Sequence, residues 1–446
     1  MTVYDEGASW SVTSPKPRPN QNWYSYYAGY SERFAAEALA LLDLPSQSLV
    51  LDPWNGSGTT TAVARALGHR PVGYDLNPSM VIVAKARLLD LGVLPSVDSI
   101  ASEILAEASS TTPDDELHEP LSAWFMPAAA RCLRAIELGL QRVLVSHDEV
   151  VCPYEAEVAD TISTLAAFFY VCLFRTVRAN LARFISTNPT WIKVPHGPSE
   201  QINPPQSSLS EQFRGEARVM TNRLRARAAA LDCRPDESSV AAEPRIKVAN
   251  SIRLPDQDST IDAVLCSPPY CTRIDYAVAT RAELATLGMS SERFLVLREA
   301  LLGGTLHCTG TQISPTLLWG GTCNDFLQVV STHSSKASST YYWRGFVRYF
   351  ERLYASLIEI DRVLKPGSCC ITVVQDSFYK GERADLQRIV VEMGEALGWT
   401  ERGRFDFHHA RTKAAVNPRS RKYRQASCAT ESVLLFKKAA LSPHNN

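Results

Sequence analysis

Ser48-Leu-Val-Leu-Asp52-Pro-Trp-Asn-Gly-Ser-Gly-Thr-Thr60 is the stretch that decides how this chain folds. Ser48–Asp52 is a short apolar run ending in an acid, which reads as a buried strand. Gly56 and Gly58 allow a tight turn and a close approach of backbone to a ligand. Residues 59–68 then read as a helix that stops at Gly68. A helix start placed after such a turn offers free backbone amides to an anionic group. The turn is not a phosphate loop, because no Lys follows its second glycine and its spacing differs from G-x-G-x-x-G.

Working outward, residues 71–75 read as a second strand, also ending in an acid, Asp75, and residues 79–92 as a second helix. A helix over 31–43 precedes the first strand, with Ser31 as its start signal. Strand–helix–strand–helix alternation predicts a parallel sheet with helices on both faces. The alternation then stops. Residues 93–244 read as mostly helical, at 121–145, 155–187 and 209–231, around a proline-rich loop over 188–208. Strands resume at 245–250 and 261–267. Helices at 275–287 and 345–363, a strand at 369–375, a helix at 383–397 and strands near 402–408 and 430–437 follow. Residues 303–342 carry no clear period and read as a long functional loop. The predicted division is a mobile arm (1–22), a first sheet segment (23–92), a helical insertion (93–244), a second sheet segment (245–438) and a tail (439–446).

Among 446 residues, 46 Lys+Arg against 47 Asp+Glu leave a net charge of −1, with 45% hydrophobic and 21% charged residues. That mixture is globular. It excludes a disordered chain, a coiled coil, and a protein that binds nucleic acid through bulk positive charge, though not a local basic stripe. No apolar run approaches the ~18–20 residues needed to span a bilayer, and residues 1–22 contain no apolar leader. A cytoplasmic protein without membrane contact is expected. The 11 cysteines include no C-x-x-C pair and read as reduced thiols. His307, Cys308, Cys323 and His333 match no standard metal spacing, so no metal is expected.

A second stretch carries chemistry. Ser267-Pro268-Pro269-Tyr270 follows directly on the strand ending at Cys266. Two prolines lack amide donors and are rigid, so their carbonyls are free to accept. A hydroxyl, a carbonyl and a stacking ring suit a planar base bearing an exocyclic amino group.

Together the two stretches resemble the amino-methyltransferases of DNA, which use S-adenosylmethionine. Residues 52–60 are similar to that family's D-P-F-x-G-S-G-T-T cofactor motif, with Trp54 in place of Phe. Residues 267–270 are similar to its catalytic motif in the Ser form typical of cytosine-N4 enzymes. Tyr27-Ala-Gly-Tyr30, Gly73-Tyr-Asp-Leu-Asn-Pro78, Arg273-Ile-Asp-Tyr276 and Arg362-Val-Leu-Lys-Pro-Gly367 match further. The resemblance covers about 23–92 and 245–437. It implies a doubly wound, Rossmann-like α/β methyltransferase sheet interrupted by a large helical insertion.

The resemblance also implies a site. Tyr30, Asp52, Trp54, Asn55, Gly56, Ser57, Gly58, Thr59, Asp75, Asn77 and Asn250 would hold S-adenosylmethionine, with Asp75 at the ribose. Asn250 replaces the acid usual after the third strand and would accept through its amide oxygen. Ser267, Pro268, Pro269 and Tyr270 would hold a flipped cytosine for direct transfer to N4. Adenine N6 is the alternative target, and a DNA-binding defence-complex component with weakened catalysis is the alternative from another class. Cys266 and Cys271, beside the motif, read as structural and not as nucleophiles for C5 methylation. Double-stranded DNA is the expected partner, with a nuclease or defence-complex subunit as a further one. Arg223, Arg225 and Arg227 in the insertion, and Arg419, Arg421, Lys422 and Arg424 near the C-terminus, form two basic stripes suited to phosphates. Trp191 reads as a packed core residue.

Overall fold

The computed structural model describes residues 2–3, 12–16, 24, 29–113, 119–147, 149–186, 191–230, 243–271, 274–304, 314–409 and 429–440. The strands are β1 (Thr2–Val3), β2 (Leu49–Asp52), β3 (Arg70–Asp75), β4 (Arg245–Val248), β5 (Ile261–Cys266), β6 (Leu364–Gln375), β7 (Ser377–Tyr379), β8 (Glu382–Ala384), β9 (Trp399–His409) and β10 (Ala429–Lys438). Eight of them form one sheet in the order β1-β9-β10-β6-β5-β2-β3-β4, and β7 and β8 pair as a separate hairpin. The run β6-β5-β2-β3-β4 is parallel, and β10 enters antiparallel beside β6. This is the mixed α/β architecture that the strand–helix alternation predicts.

Around the sheet lie α1 (Glu32–Ala40), α2 (Thr59–Ala66) and α3 (Pro78–Ala86). The insertion contributes α4 (Val97–Ser110), α5 (Pro127–Leu144), α6 (Ala156–Thr161), α7 (Thr164–Asn180) and α8 (Gln206–Ala230). After β5 come α9 (Tyr276–Ala279), α10 (Arg281–Thr286), α11 (Ser291–Ala300), α12 (Gly321–Thr332), α13 (Trp343–Val363) and α14 (Leu386–Ala396). Side chains of the central strands alternate between two cores. Val50, Leu265, Val433 and Leu435 face α1 and α2. Leu51, Val264, Cys266, Leu434 and Phe436 face α12, α13 and α14.

The insertion is built onto the sheet. Ile82, Val83 and Ala86 of α3 share one apolar core with α4, α5, α7, α8 and α10. In α7 the residues Ala166–Phe174 are all buried, because neighbouring helices surround it. No helix among the described residues is long and apolar enough to cross a membrane.

Several expectations change. The stretch 1–22, expected as a mobile arm, is held at more than one place: β1 pairs with β9, Thr13 N–H donates to Glu37 at 2.6 Å, and the Pro15 carbonyl accepts from Ser31 at 2.8 Å. The stretch 303–342 contains α12, whose Cys323, Phe326, Leu327 and Val330 are buried. Its apolar positions repeat every three to four residues, a signal obscured by its Ser and Thr content. The helix α4 went unpredicted for the same reason. Trp191 is 42% exposed, so it is not a core residue.

Candidate active site

β2 and β5 are neighbours, with Val50 opposite Ala263 and Leu51 opposite Val264. The chain runs from β2 toward β3 on one side and from β5 toward β6 on the other. At such a switch point the loops leaving adjacent strands part and open a crevice at their carboxyl ends. The turn after β2 and the Ser-Pro-Pro-Tyr turn after β5 therefore face one cleft.

The turn after β2 is held by buried hydrogen bonds. Asp52 accepts from the Trp54 N–H at 3.1 Å and from Thr60 Oγ1 at 2.5 Å. Tyr30 is tied to Thr60, and its hydroxyl lies 3.4 Å from Asp52 and 3.3 Å from the Leu265 carbonyl. Asp75 accepts from the Gly56 N–H at 3.0 Å and the Asn77 N–H at 2.9 Å. Burial raises both carboxyls, Asp52 to about 7 and Asp75 to about 6. The charge of Asp75 adds to the rise at Asp52, while their hydrogen bonds oppose it. A buried carboxylate is costly without a cation. A cleft with two such acids in its wall favours a positively charged ligand.

The residues predicted for the cofactor do different things. Tyr30, Asp52, Trp54, Asn55, Gly56, Ser57, Thr59, Asp75, Asn77 and Asn250 all line the cleft. Asn77 caps α3, accepting from the Ser79 N–H and hydroxyl, and donates to Thr280 Oγ1 at 2.7 Å. Asn55 accepts from Thr61 at 3.0 Å. The Asn250 amide oxygen accepts from the Ile252 N–H at 3.2 Å and so closes its own turn. Gly58 is a correction. It does not line the cleft; it starts α2 at φ 76°, and a Cβ there would stand 2.8 Å from Ala84 Cβ of α3. Its glycine serves the packing of α2 on α3. Gly58→Ala is expected to cost about 2–3 kcal/mol of stability in urea unfolding, from left-handed strain plus overpacking.

One supporting residue carried no sequence signal. Arg87, buried just past α3, donates from Nη1 to the Ser57 carbonyl and to Thr59 Oγ1, both at 3.0 Å. Its Nη2 meets Glu32 at 2.6 Å. Arg227, from the end of α8, meets the same Glu32 oxygen at 2.6 Å and donates to the Arg87 carbonyl at 3.1 Å. The insertion thus braces the cleft loop from behind. Arg227, expected at DNA phosphates, is instead a structural ion-pair partner. Arg223 is half-buried beside Arg175 and Glu216, and Arg225 is exposed. Arg419, Arg421, Lys422 and Arg424 lie outside the described residues, as do Tyr27, Arg273, His307 and Cys308.

The second turn is equally anchored. Ser267, Pro268, Pro269 and Tyr270 line the cleft. The Tyr270 N–H donates to the Tyr276 hydroxyl at 3.0 Å, and the Tyr349 hydroxyl of α13 donates to the Pro269 carbonyl at 2.9 Å. Gly303, at φ 81°, lies so close that a Cβ would stand 2.8 Å from the Tyr270 carbonyl. Cys266 and Cys271 are buried, and burial pushes the Cys266 thiol well up, away from a nucleophilic thiolate. Among the described residues no cluster of His, Cys, Asp or Glu could hold a metal.

Comparison with known proteins agrees with this geometry. Residues 7–86 match the N6/N4 methyltransferase family model described as DNA methylase. The type II methyltransferase M.BsoBI of Geobacillus stearothermophilus is 25% identical over 311 residues, 67% of this chain and 58% of that protein. The type II methyltransferase M.AvaI of Nostoc sp. is 27% identical over 151 residues, 31% of this chain and 30% of its own. M2.LlaDCHI of Lactococcus lactis subsp. cremoris, also a type II methyltransferase, is 29% identical over 76 residues, 17% of this chain and 28% of its own. The matches thus span 58% or less of these relatives. With the parallel sheet, the acid-walled loop and the Ser-Pro-Pro-Tyr turn meeting in one cleft, the chain is similar to the N4/N6 amino-methyltransferases of DNA.

Proposed function

We propose that this chain transfers a methyl group from S-adenosylmethionine to the exocyclic N4 of cytosine in duplex DNA. One observation carries the reading: the Ser267-Pro268-Pro269-Tyr270 turn opens into the same cleft as the loop over 52–60. S-adenosylmethionine is the cofactor expected of the family, and the cleft fits it. The sulfonium is a cation, and Asp52 and Asp75 are acids whose burial is relieved by one. Asp75, at the end of β3, is the residue for the ribose hydroxyls, and Trp54 supplies an apolar wall. When bound, the cofactor supplies an electrophilic methyl group.

The chain's own part is positioning. Tyr349 occupies the Pro269 carbonyl, which directs a base's amino protons to Ser267 Oγ and the Pro268 carbonyl. Tyr270 stacks on the base, recovering part of the few kcal/mol that flipping costs. The first-position Ser favours cytosine over adenine. The relatives' designation as type II methyltransferases supports a role in restriction–modification. Arg225 and the basic block over 419–424 are the residues for DNA phosphates.

Incubation with labelled cofactor and unmodified DNA, followed by nucleoside mass analysis, is expected to yield N4-methylcytosine. N6-methyladenine in its place would reassign the base, and no labelled nucleoside at all would reject the reading.

Cofactor affinity is also expected to depend on pH. The folded-state values near 6 and 7 lie above those of free carboxyls, so in the ligand-free protein these acids lower stability as pH rises through that range. A cationic ligand favours the ionised acids. Affinity should therefore rise about tenfold from pH 5.5 to 7.5 and level off above. Calorimetry at several pH values checks this, and a flat profile would show that neither acid senses the ligand.

A further inference from the structure

Beside the Ser-Pro-Pro-Tyr turn stands an aromatic lip that none of the roles above uses. α13 leads directly into β6 at the amino edge of the sheet, so its first turn stands at the opposite edge, where the cleft opens. The bond from Tyr349 to the Pro269 carbonyl agrees with that placement. The approach to this turn departs from regular structure twice. Ala337 has φ 62°, a left-handed conformation uncommon outside glycine. Ser338–Tyr342 form a π-helical turn, in which the Tyr342 N–H donates to the Ala337 carbonyl at 3.1 Å. Such turns are rare and recur at functional sites.

The departures have a definite result. Buried Ser338 donates to the Ser335 carbonyl at 2.7 Å and bonds the Tyr379 hydroxyl. The Tyr342 ring packs 5.2 Å from that of Tyr379, and Tyr341 follows 5.2 Å from Tyr342. Tyr379 is buried, while Tyr342 and Tyr341 are 40% and 48% exposed. Two rings are thus held outward on a buried aromatic base. Tyr379 also belongs to β7, where the Ser377 hydroxyl donates at 3.0 Å to the carbonyl of Cys271, the residue after Tyr270. Lys336 and Arg344, flanking the lip in sequence, are exposed.

We propose that Tyr341 and Tyr342 stack on DNA bases next to the target nucleotide. This rests on the DNA reading above. An intact duplex hides its base faces, and extruding one nucleotide uncovers the faces of its neighbours. Exposed rings flanked by cations, on an aromatic base whose neighbours Ser377 and Tyr349 bond the backbone of the Ser-Pro-Pro-Tyr turn and Cys271, match those faces, and stacking of this kind tolerates any base.

The test is filter binding to labelled DNA fragments of mixed sequence, native and heat-denatured, with cofactor affinity measured alongside by calorimetry. Tyr341→Ala/Tyr342→Ala is expected to weaken binding to denatured DNA about tenfold, to weaken native DNA less, and to leave cofactor affinity unchanged. Tyr341→Phe/Tyr342→Phe should bind both forms as the unaltered protein does, since stacking needs the ring and not the hydroxyl. Undiminished binding by the alanine variant, or an equal loss in the phenylalanine variant, would overturn the proposal while the DNA reading stands. If the unaltered protein binds neither form, the DNA reading fails and takes this proposal with it.

Discussion

Ser267→Ala is expected to lower methyl transfer about 100-fold or more while cofactor Kd stays within about twofold. Ser267 lines the cleft after β5 and its hydroxyl is proposed for the base, so its loss should misplace the amino nitrogen without touching the loop over 52–60. Tyr270→Ala behaves alike, because it removes the stacking face and leaves the backbone anchored through the N–H bonded to Tyr276. A stacking loss of about 1–3 kcal/mol is about five- to 150-fold in binding or rate. Single-turnover assays with saturating cofactor, run beside calorimetry, separate the two outcomes. Equal loss of cofactor affinity in both variants would move these residues to the cofactor side of the cleft.

Asp75→Ala is expected to weaken cofactor binding by more than tenfold, about 1.4 kcal/mol or more. The carboxylate has two tasks. It is the residue proposed for the ribose, and it holds the backbone of Gly56 and Asn77. Removing it withdraws a ligand contact and loosens the turn that shapes the rest of the cleft. Asp75→Asn loses affinity as well, because its NH₂ group then faces one of those two backbone donors. Unchanged affinity in a folded Asp75→Ala variant would remove Asp75 from the ligand's surroundings.

Local chemistry made much of this molecule legible. A glycine turn after β2 and a proline pair after β5 marked the ends of two short apolar runs, and helical periodicity found α1, α2, α3, α5 and α13. Both signals are properties of a few adjacent residues, so they survive without tertiary context. The two motifs were legible as types, with Asp52, Asp75 and Ser267–Tyr270 all facing the cleft. What failed shows the limit. Arg227 looked like one member of a basic stripe, yet Glu32 stands 195 positions earlier in the chain and 2.6 Å away in space. Gly58 looked like a ligand-facing glycine, and its constraint comes from Ala84 of the next helix.

The sequence by itself determined the elements, the turns and the chemical types at the site, because backbone preference and side-chain chemistry are set within a few residues. Only the tertiary structure decided that β2 and β5 lie side by side, that Arg87 and an insertion helix brace the loop over 52–60, and that Tyr341 and Tyr342 are held outward on buried Tyr379. Those facts depend on strand order and on contacts between residues far apart in the chain, and no local pattern encodes them.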